Sequence, residues 1–278
     1  MENPCHPYQS DIDVILSHRH DQGGDHWTTP DKRLLKGSPF SAYTSVLMLL
    51  ELGLNPSEPV LLETAELFFD AWKEDGRFQL YPKSSALACH TAPAAYLLCR
   101  MGYQADPRLQ QTFRYFLDTP YMDGGWRCNK FSYGRGPETE HANAWPTLTA
   151  LHAFRFTEHL NCEPVLDRAV EFLLAHWTIK VPIGPCHYGI GTRFMQVEYP
   201  FGGYNLFQYV YVLSYYDKAK NDPRFREALG ALQAKLADEQ IIVERVNPRL
   251  AQLAFCKKGQ PSALATKHYH EILENLKC

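Results

Sequence analysis

Glu58-Pro59-Val60-Leu61 begins a helix, and the same acid-proline start returns at Asp106-Pro107-Arg108-Leu109, Glu163-Pro164-Val165-Leu166 and Asp222-Pro223-Arg224-Phe225. The four prolines stand 48, 57 and 59 residues apart. A helix start recurring at that period marks a repeat architecture. Proline suits the first helical turn, where its missing N–H leaves no bond unmade and its fixed φ already fits. The acid before it sits at the positive end of the helix dipole and suits an N-cap. Apolar residues follow at helical spacing. Leu61, Ala65, Phe68 and Trp72 form one stripe, and Leu166, Ala169, Leu173 and Trp177 form its counterpart two units later.

After each acid-proline helix comes a loop and then a second helix rich in small and aromatic residues. These second helices are expected at 40–52, 91–101, 144–156, 203–217 and 262–276, and a short polar helix near 10–19 replaces the first acid-proline helix. The chain thus holds about five helical hairpins. Tyr204 to Leu213 is apolar or aromatic nearly all round and is expected to be buried on most sides. Pro93 and Pro146 are expected in first turns, because an interior proline costs ~3 kcal/mol. Thr91 and Asn143 are then the cap candidates.

The loops between first and second helices share a signature of acid, glycine and aromatic. It reads Asp21-Gln22-Gly23-Gly24-Asp25-His26-Trp27, Asp75-Gly76-Arg77-Phe78 and Asp123-Gly124-Gly125-Trp126. Glycine permits the sharp turn, and the aromatic is placed to plug the hairpin end. The loops at 178–202 and 238–261 are longer and lose the pattern. Loops above ~15 residues are often functional.

The 278 residues are 45% hydrophobic, enough for a sizeable core, and one domain spanning 1–278 is expected. A net charge of −3 argues against nucleic acid and acidic membrane surfaces as partners. Eight scattered cysteines form no CxxC pair, Met1 to Ser10 is polar, and no apolar run reaches the ~20 residues that span a bilayer. The expectation is a cytoplasmic protein with reduced thiols and no membrane span.

Asp123-Gly124-Gly125-Trp126 followed by His141-Ala142-Asn143-Ala144-Trp145-Pro146-Thr147-Leu148 resembles the prenyltransferase and squalene-oxidase repeat family, which includes terpene cyclases. Asp75-Gly76-Arg77-Phe78 and the Ala/Leu-rich helix ending at Met101-Gly102 extend the resemblance over most of residues 10–275. It implies an all-α fold of the α/α-toroid type, here with about five hairpins in an open or incomplete ring. Inner helices would surround a central aromatic cavity for an apolar, isoprenoid-like ligand. The acid motif Asp-x-Asp-Asp of terpene cyclases has only Asp11-Ile12-Asp13 as a near match. The zinc ligands of protein prenyltransferases fall near His141 and Gln208, which do not match.

The segment from Trp126 to Trp145 puts Glu140 and His141 at the mouth of an inner helix, and the long loop adds His187 and Glu198. A histidine near a carboxylate suits general acid–base work, so His141, His187, Glu198 and Glu140 are the catalytic candidates. Glu138 and Glu140 suit helix capping equally well. Trp145, Asn143, Tyr188, Tyr204, Asn205, His90 and Tyr43 are the candidate ligand contacts. Cys128, His141, Cys186 and His187 are a zinc set without tight spacing. The cofactor, the metal content and the oligomeric state stay open.

The expected function is binding of a small apolar ligand by a prenyltransferase- or terpene cyclase-like protein, with the reaction unresolved. A polysaccharide lyase using His141, Asn143, Tyr188 and Arg193, and a non-catalytic scaffold, are the alternatives.

Overall fold

The structure is a computed structural model and describes residues 6–128, 134 and 136–277. Its helices start where the prolines demand. α1 (Gln9–Ser17), α2 (Ala42–Glu51) and α3 (Pro59–Asp70) are followed by α4 (Ala88–Arg100), α5 (Pro107–Asp118), α6 (Ala144–Phe154) and α7 (Pro164–Ile179). The chain continues through α8 (Leu206–Leu213), the single turn α9 (Asp217–Lys220), α10 (Pro223–Gln233), strands β1 (Leu236–Ala237) and β2 (Gln240–Ile241), and α11 (Ala263–Asn275). The two strands form one short antiparallel hairpin. The described chain is mostly helical.

All four acid-proline helices begin on the proline itself. The acids before them divide by length. Asp106 and Asp222 accept from the backbone N–H two residues on, each at 2.8 Å. Glu58 and Glu163 occupy the same position without a side-chain cap. One more methylene carries the carboxylate past the N–H groups it would have to meet.

Two expectations about the second helices need correcting. α4 begins before Thr91, so Pro93 lies inside the helix. Residues His90 to Cys99 are all buried, and tertiary packing of that kind overrides local propensity. Thr91 is therefore no cap; its hydroxyl accepts from Phe78 N at 3.1 Å and donates to Leu87 O at 3.0 Å. Asn143 does hold the N-cap position of α6, but its Oδ1 accepts from Cys128 N at 2.7 Å rather than from its own helix. Pro146 falls in the first turn of α6.

The second helices neighbour one another in chain order: α2 packs on α4, α4 on α6, α6 on α8, and α8 on α11. Each acid-proline helix packs on the second helix of the preceding hairpin, α3 on α2, α5 on α4 and α7 on α6, while α10 contacts α8 and α7. The loop aromatics Trp27, Phe78 and Trp126 are buried. Trp27 Nε1 donates to Ile15 O and Trp126 Nε1 to Phe116 O, both at 3.0 Å, which ties each plug to the helix before it. Gly124 turns with φ +94°, and a Cβ there would lie 2.5 Å from Arg168 O, so the glycine is required for turn and space alike.

The two long loops meet. Glu198 and Arg245 form an isolated parallel bridge, and Tyr199 N donates to Arg245 O at 3.1 Å. The later loop also reaches the first helix. Asp11 is buried, and its carboxylate accepts from Ala254 N at 2.7 Å and Phe255 N at 2.9 Å. The near match to a cyclase acid motif at Asp11-Ile12-Asp13 is thus a structural clasp.

Among the described residues no helix is long and apolar enough to cross a membrane. The six described cysteines are unbridged, and Cys5 and Cys278 lie outside the described residues.

Candidate functional site

Five helices give one face each to a shared cavity of about 390 Å³. α2 contributes Tyr43, Leu47 and Glu51, spaced by four residues, and α6 contributes Trp145, Leu148 and His152 at spacings of three and four. These are single helical faces. α4 adds Tyr96 and Arg100, α8 adds Tyr211, and α11 adds His268. Phe201 and Leu250, from the two long loops, also line the cavity. Much of the wall is aliphatic or aromatic, while ionised groups cluster in one part of it.

That polar part is a connected network. His268 Nε2 lies 2.6 Å from Glu51 Oε1, and its Nδ1 lies 3.2 Å from Glu271 Oε2. Tyr199 OH donates to Glu51 Oε1 at 2.9 Å, and Arg100 Nη2 reaches Glu51 Oε2 at 3.5 Å. Arg100 Nη1 donates to Tyr96 OH at 3.2 Å. Arg155, at the C-terminal end of α6, donates to Tyr211 OH at 3.0 Å and lies against the rings of Tyr211, Tyr215 and Phe156. Tyr211 OH in turn donates to Glu271.

The electrostatics follow from that wiring. Burial pushes the Glu51 carboxyl up, but the hydrogen bond from His268 and the charges of His268 and Arg100 outweigh it and hold the group ionised below its ordinary range. Burial likewise raises Glu271, yet His268 and Tyr211 bring it down to about 2. Burial would lower His268, and its bonds to Glu271 and Glu51 reverse that and raise it. His152 is the opposite case. It is fully buried, stacks on Tyr96 at 3.9 Å, and feels the charges of Arg155, Arg100 and His268, so it stays neutral. The cavity therefore holds an imidazolium and ionised carboxylates beside a neutral imidazole. Such a set can donate and accept protons at a bound oxygen.

No protein-family model matches the chain. No curated protein matches it either.

The candidates read from the sequence are divided by the structure. Glu198, Trp145 and Tyr43 line the cavity. The carboxylate of Glu198 lies 3.6 Å from Arg245 Nε. His141, His187 and Glu140 stand elsewhere, each with its own partner: His141 at 3.5 Å from Asp123, His187 at 3.6 Å from Glu138, and the exposed Glu140 at 4.0 Å from Arg127. His141, His187 and Glu198 do not converge, because the turn at Asp123 and the short 3-10 turn 137–140 each capture a histidine. Asn205 caps α8 through Gln208 N at 2.9 Å. Tyr204 is bound to His176 Nδ1 at 2.9 Å and stacked on that ring. His90 packs against Tyr81, and Tyr188 packs between Trp145 and Tyr204; neither lines the cavity.

The zinc set is not assembled. Cys128 Sγ is 3.9 Å from Cys89 Sγ, His141 and His187 point to carboxylates, and no group of three or more metal-ligating side chains gathers among the described residues.

Glu51, Arg100, His152 and His268 were not singled out from the sequence. A signal was present for three of them, each an ionisable residue in an apolar run, Leu49-Leu50-Glu51, Leu97-Leu98-Cys99-Arg100 and Leu151-His152-Ala153-Phe154, whereas His268 stands among Lys267, His270 and Glu271 and carries none. Charges in such runs are rarely left without a purpose.

Proposed function

We propose that the chain is an α/α toroid of the prenyltransferase and terpene-cyclase kind that binds a small, mostly apolar, isoprenoid-like ligand in its central cavity. The toroid reading is supported by the neighbour order α2, α4, α6, α8 and α11, and by the bond from His268 on α11 back to Glu51 on α2. The single observation that carries the ligand reading is the cavity itself. Five helices surround it, aromatic and aliphatic side chains form much of its wall, and a buried acid–base network stands in one part.

His268 and Glu51 are the groups best suited to chemistry there. Glu51 is ionised, and the proton of His268 is held between two carboxylates. Neither is acid enough to protonate an isolated alkene. The proton transfers open to this pair are at an oxygen, or at a carbon acidified by a neighbouring carbonyl. The polysaccharide-lyase reading has less support, because His141, Asn143 and Tyr188 lie off the cavity wall.

The test is thermal unfolding in the presence of prenyl alcohols, prenyl diphosphates and terpenes. A ligand at 100 times its Kd stabilises by about 2.7 kcal/mol, a rise of a few degrees in Tm. Leu47→Trp, which fills the cavity, should abolish the rise. A panel that leaves Tm unmoved in the unaltered protein overturns the reading.

A further inference from the structure

We propose that the cavity takes its ligand as a carboxylate, with the charged group turned toward Arg100, Tyr96 and Tyr43. The inference rests on the ligand reading above and narrows it from an apolar molecule to an apolar body carrying one anionic end.

The first ground is charge. His268 has an acceptor-only carboxylate oxygen at each ring nitrogen, Glu51 at 2.6 Å and Glu271 at 3.2 Å. A neutral imidazole has one N–H and can serve only one of them, and the Tyr211 hydroxyl, 3.1 Å from Nδ1, gives its proton to Glu271, so the ring is doubly protonated. The network then holds three cations, Arg100, Arg155 and His268, against two carboxylates, Glu51 and Glu271. One positive charge is left over in a buried place, where an uncompensated charge is costly. Elsewhere on the wall Glu198 is matched by Arg245, while Arg193 has no ion-pair partner among the described residues. Every surplus on this wall is positive.

The second ground is unused hydrogen-bonding capacity. Tyr96 OH accepts from Arg100, which leaves its own proton to give. The Tyr43 hydroxyl lines the cavity, feels the charges of Tyr96 and Arg100, and has no hydrogen-bond partner among the described residues. His152, also on the wall, keeps Nε2 buried and without a partner. Buried polar groups are normally paired, and the unpaired His152 Nε2, beside two phenols with donor capacity to spare, marks the place of a polar group that a ligand supplies. Arg100, which can only donate, and the two phenols, which each have a proton to give, favour an acceptor. A carboxylate answers both the charge and the donors in one group.

Isothermal titration at neutral pH with geranoate, geraniol and myrcene tests this. The three share an isoprenoid body and differ in the end group. Geranoate is expected to bind about tenfold or more tighter than geraniol, in line with the strength of charge-assisted bonds. Tyr43→Phe should weaken geranoate about tenfold with little effect on myrcene, and it should leave the Tm of the ligand-free protein unchanged, since that hydroxyl bonds to none of the described residues. His268→Gln removes the surplus cation and should erase the preference for geranoate over geraniol. If geranoate binds no better than geraniol, or if Tyr43→Phe leaves its affinity intact, the carboxylate site is wrong while the cavity reading stands. If none of the three binds, the cavity reading falls and takes this one with it.

Discussion

His268 Nε2 lies 2.6 Å from Glu51 Oε1, although 217 residues separate them. The pair joins the earliest and the latest of the five cavity-lining helices, and both side chains are nearly buried. Removing one member leaves a buried charge unmatched. Glu51→Gln and His268→Gln should each cost about 3–5 kcal/mol of stability. The double variant should cost less than the sum, with a coupling of about 1–3 kcal/mol. Denaturant unfolding of the four proteins measures this, and strictly additive losses would show that the contact contributes nothing.

Stability should peak near pH 6.5. The folded pKa of His268 is raised, so its contribution is complete below the unfolded value of 6.5 and is lost as pH climbs through the folded one. His152 and His176 run the other way. Burial first depresses both, joined at His152 by the charges of Arg155, Arg100 and His268, while at His176 it outweighs the bond to the Val181 carbonyl and leaves the pKa at about 4, so their contribution is present above pH 6.5 and is lost as pH falls toward the folded values. Each histidine sets a slope of up to about 1.4 kcal/mol per pH unit within its window. Tm against pH should give a single maximum. His268→Gln should flatten the alkaline side, and His152→Phe should reduce the acid side.

Asp11 and Asp13 are two residues apart and should answer mutation very differently. Asp11→Asn puts an amide where two backbone N–H groups need acceptors, and should cost about 1–3 kcal/mol. Asp13 is exposed and, among the described residues, bonded only to Gln9, so Asp13→Asn should stay within about 0.5 kcal/mol. Equal losses in chemical denaturation would contradict the clasp.

The acid-proline starts allow a similar contrast. Asp106→Ala and Asp222→Ala each remove a cap and should cost about 1 kcal/mol. Glu58→Ala and Glu163→Ala remove no such bond and should cost less than about 0.5 kcal/mol. Calorimetry of the four variants decides it.

The helices were legible because proline and apolar spacing act locally. Pro59, Pro107, Pro164 and Pro223 each start a helix for a reason contained within one turn. Pro93 was misjudged because what holds it inside α4 is burial by other helices, which no local rule sees. The site failed in the same way. His141 and His187 looked catalytic because they sit near acids in sequence, but each pairs with a different acid off the cavity wall, Asp123 and Glu138. Glu51 and His268 meet only after the whole chain has folded, and nothing within twenty residues of either names the other. Tyr43, Trp145 and Glu198 reached the cavity from the sequence reading because aromatic and acidic residues at helix mouths and in long loops are reasonable guesses wherever a hollow exists.

The clasp of Asp11 on Ala254 and Phe255 has a bearing on biosynthesis. The carboxylate is synthesised some 240 residues before its two partners. Until then α1 is held by α2 and by the bond from Trp27 to Ile15, and its bonds to the later loop are missing. Closing of this clasp therefore waits on the synthesis of a late loop, however early its helix has formed.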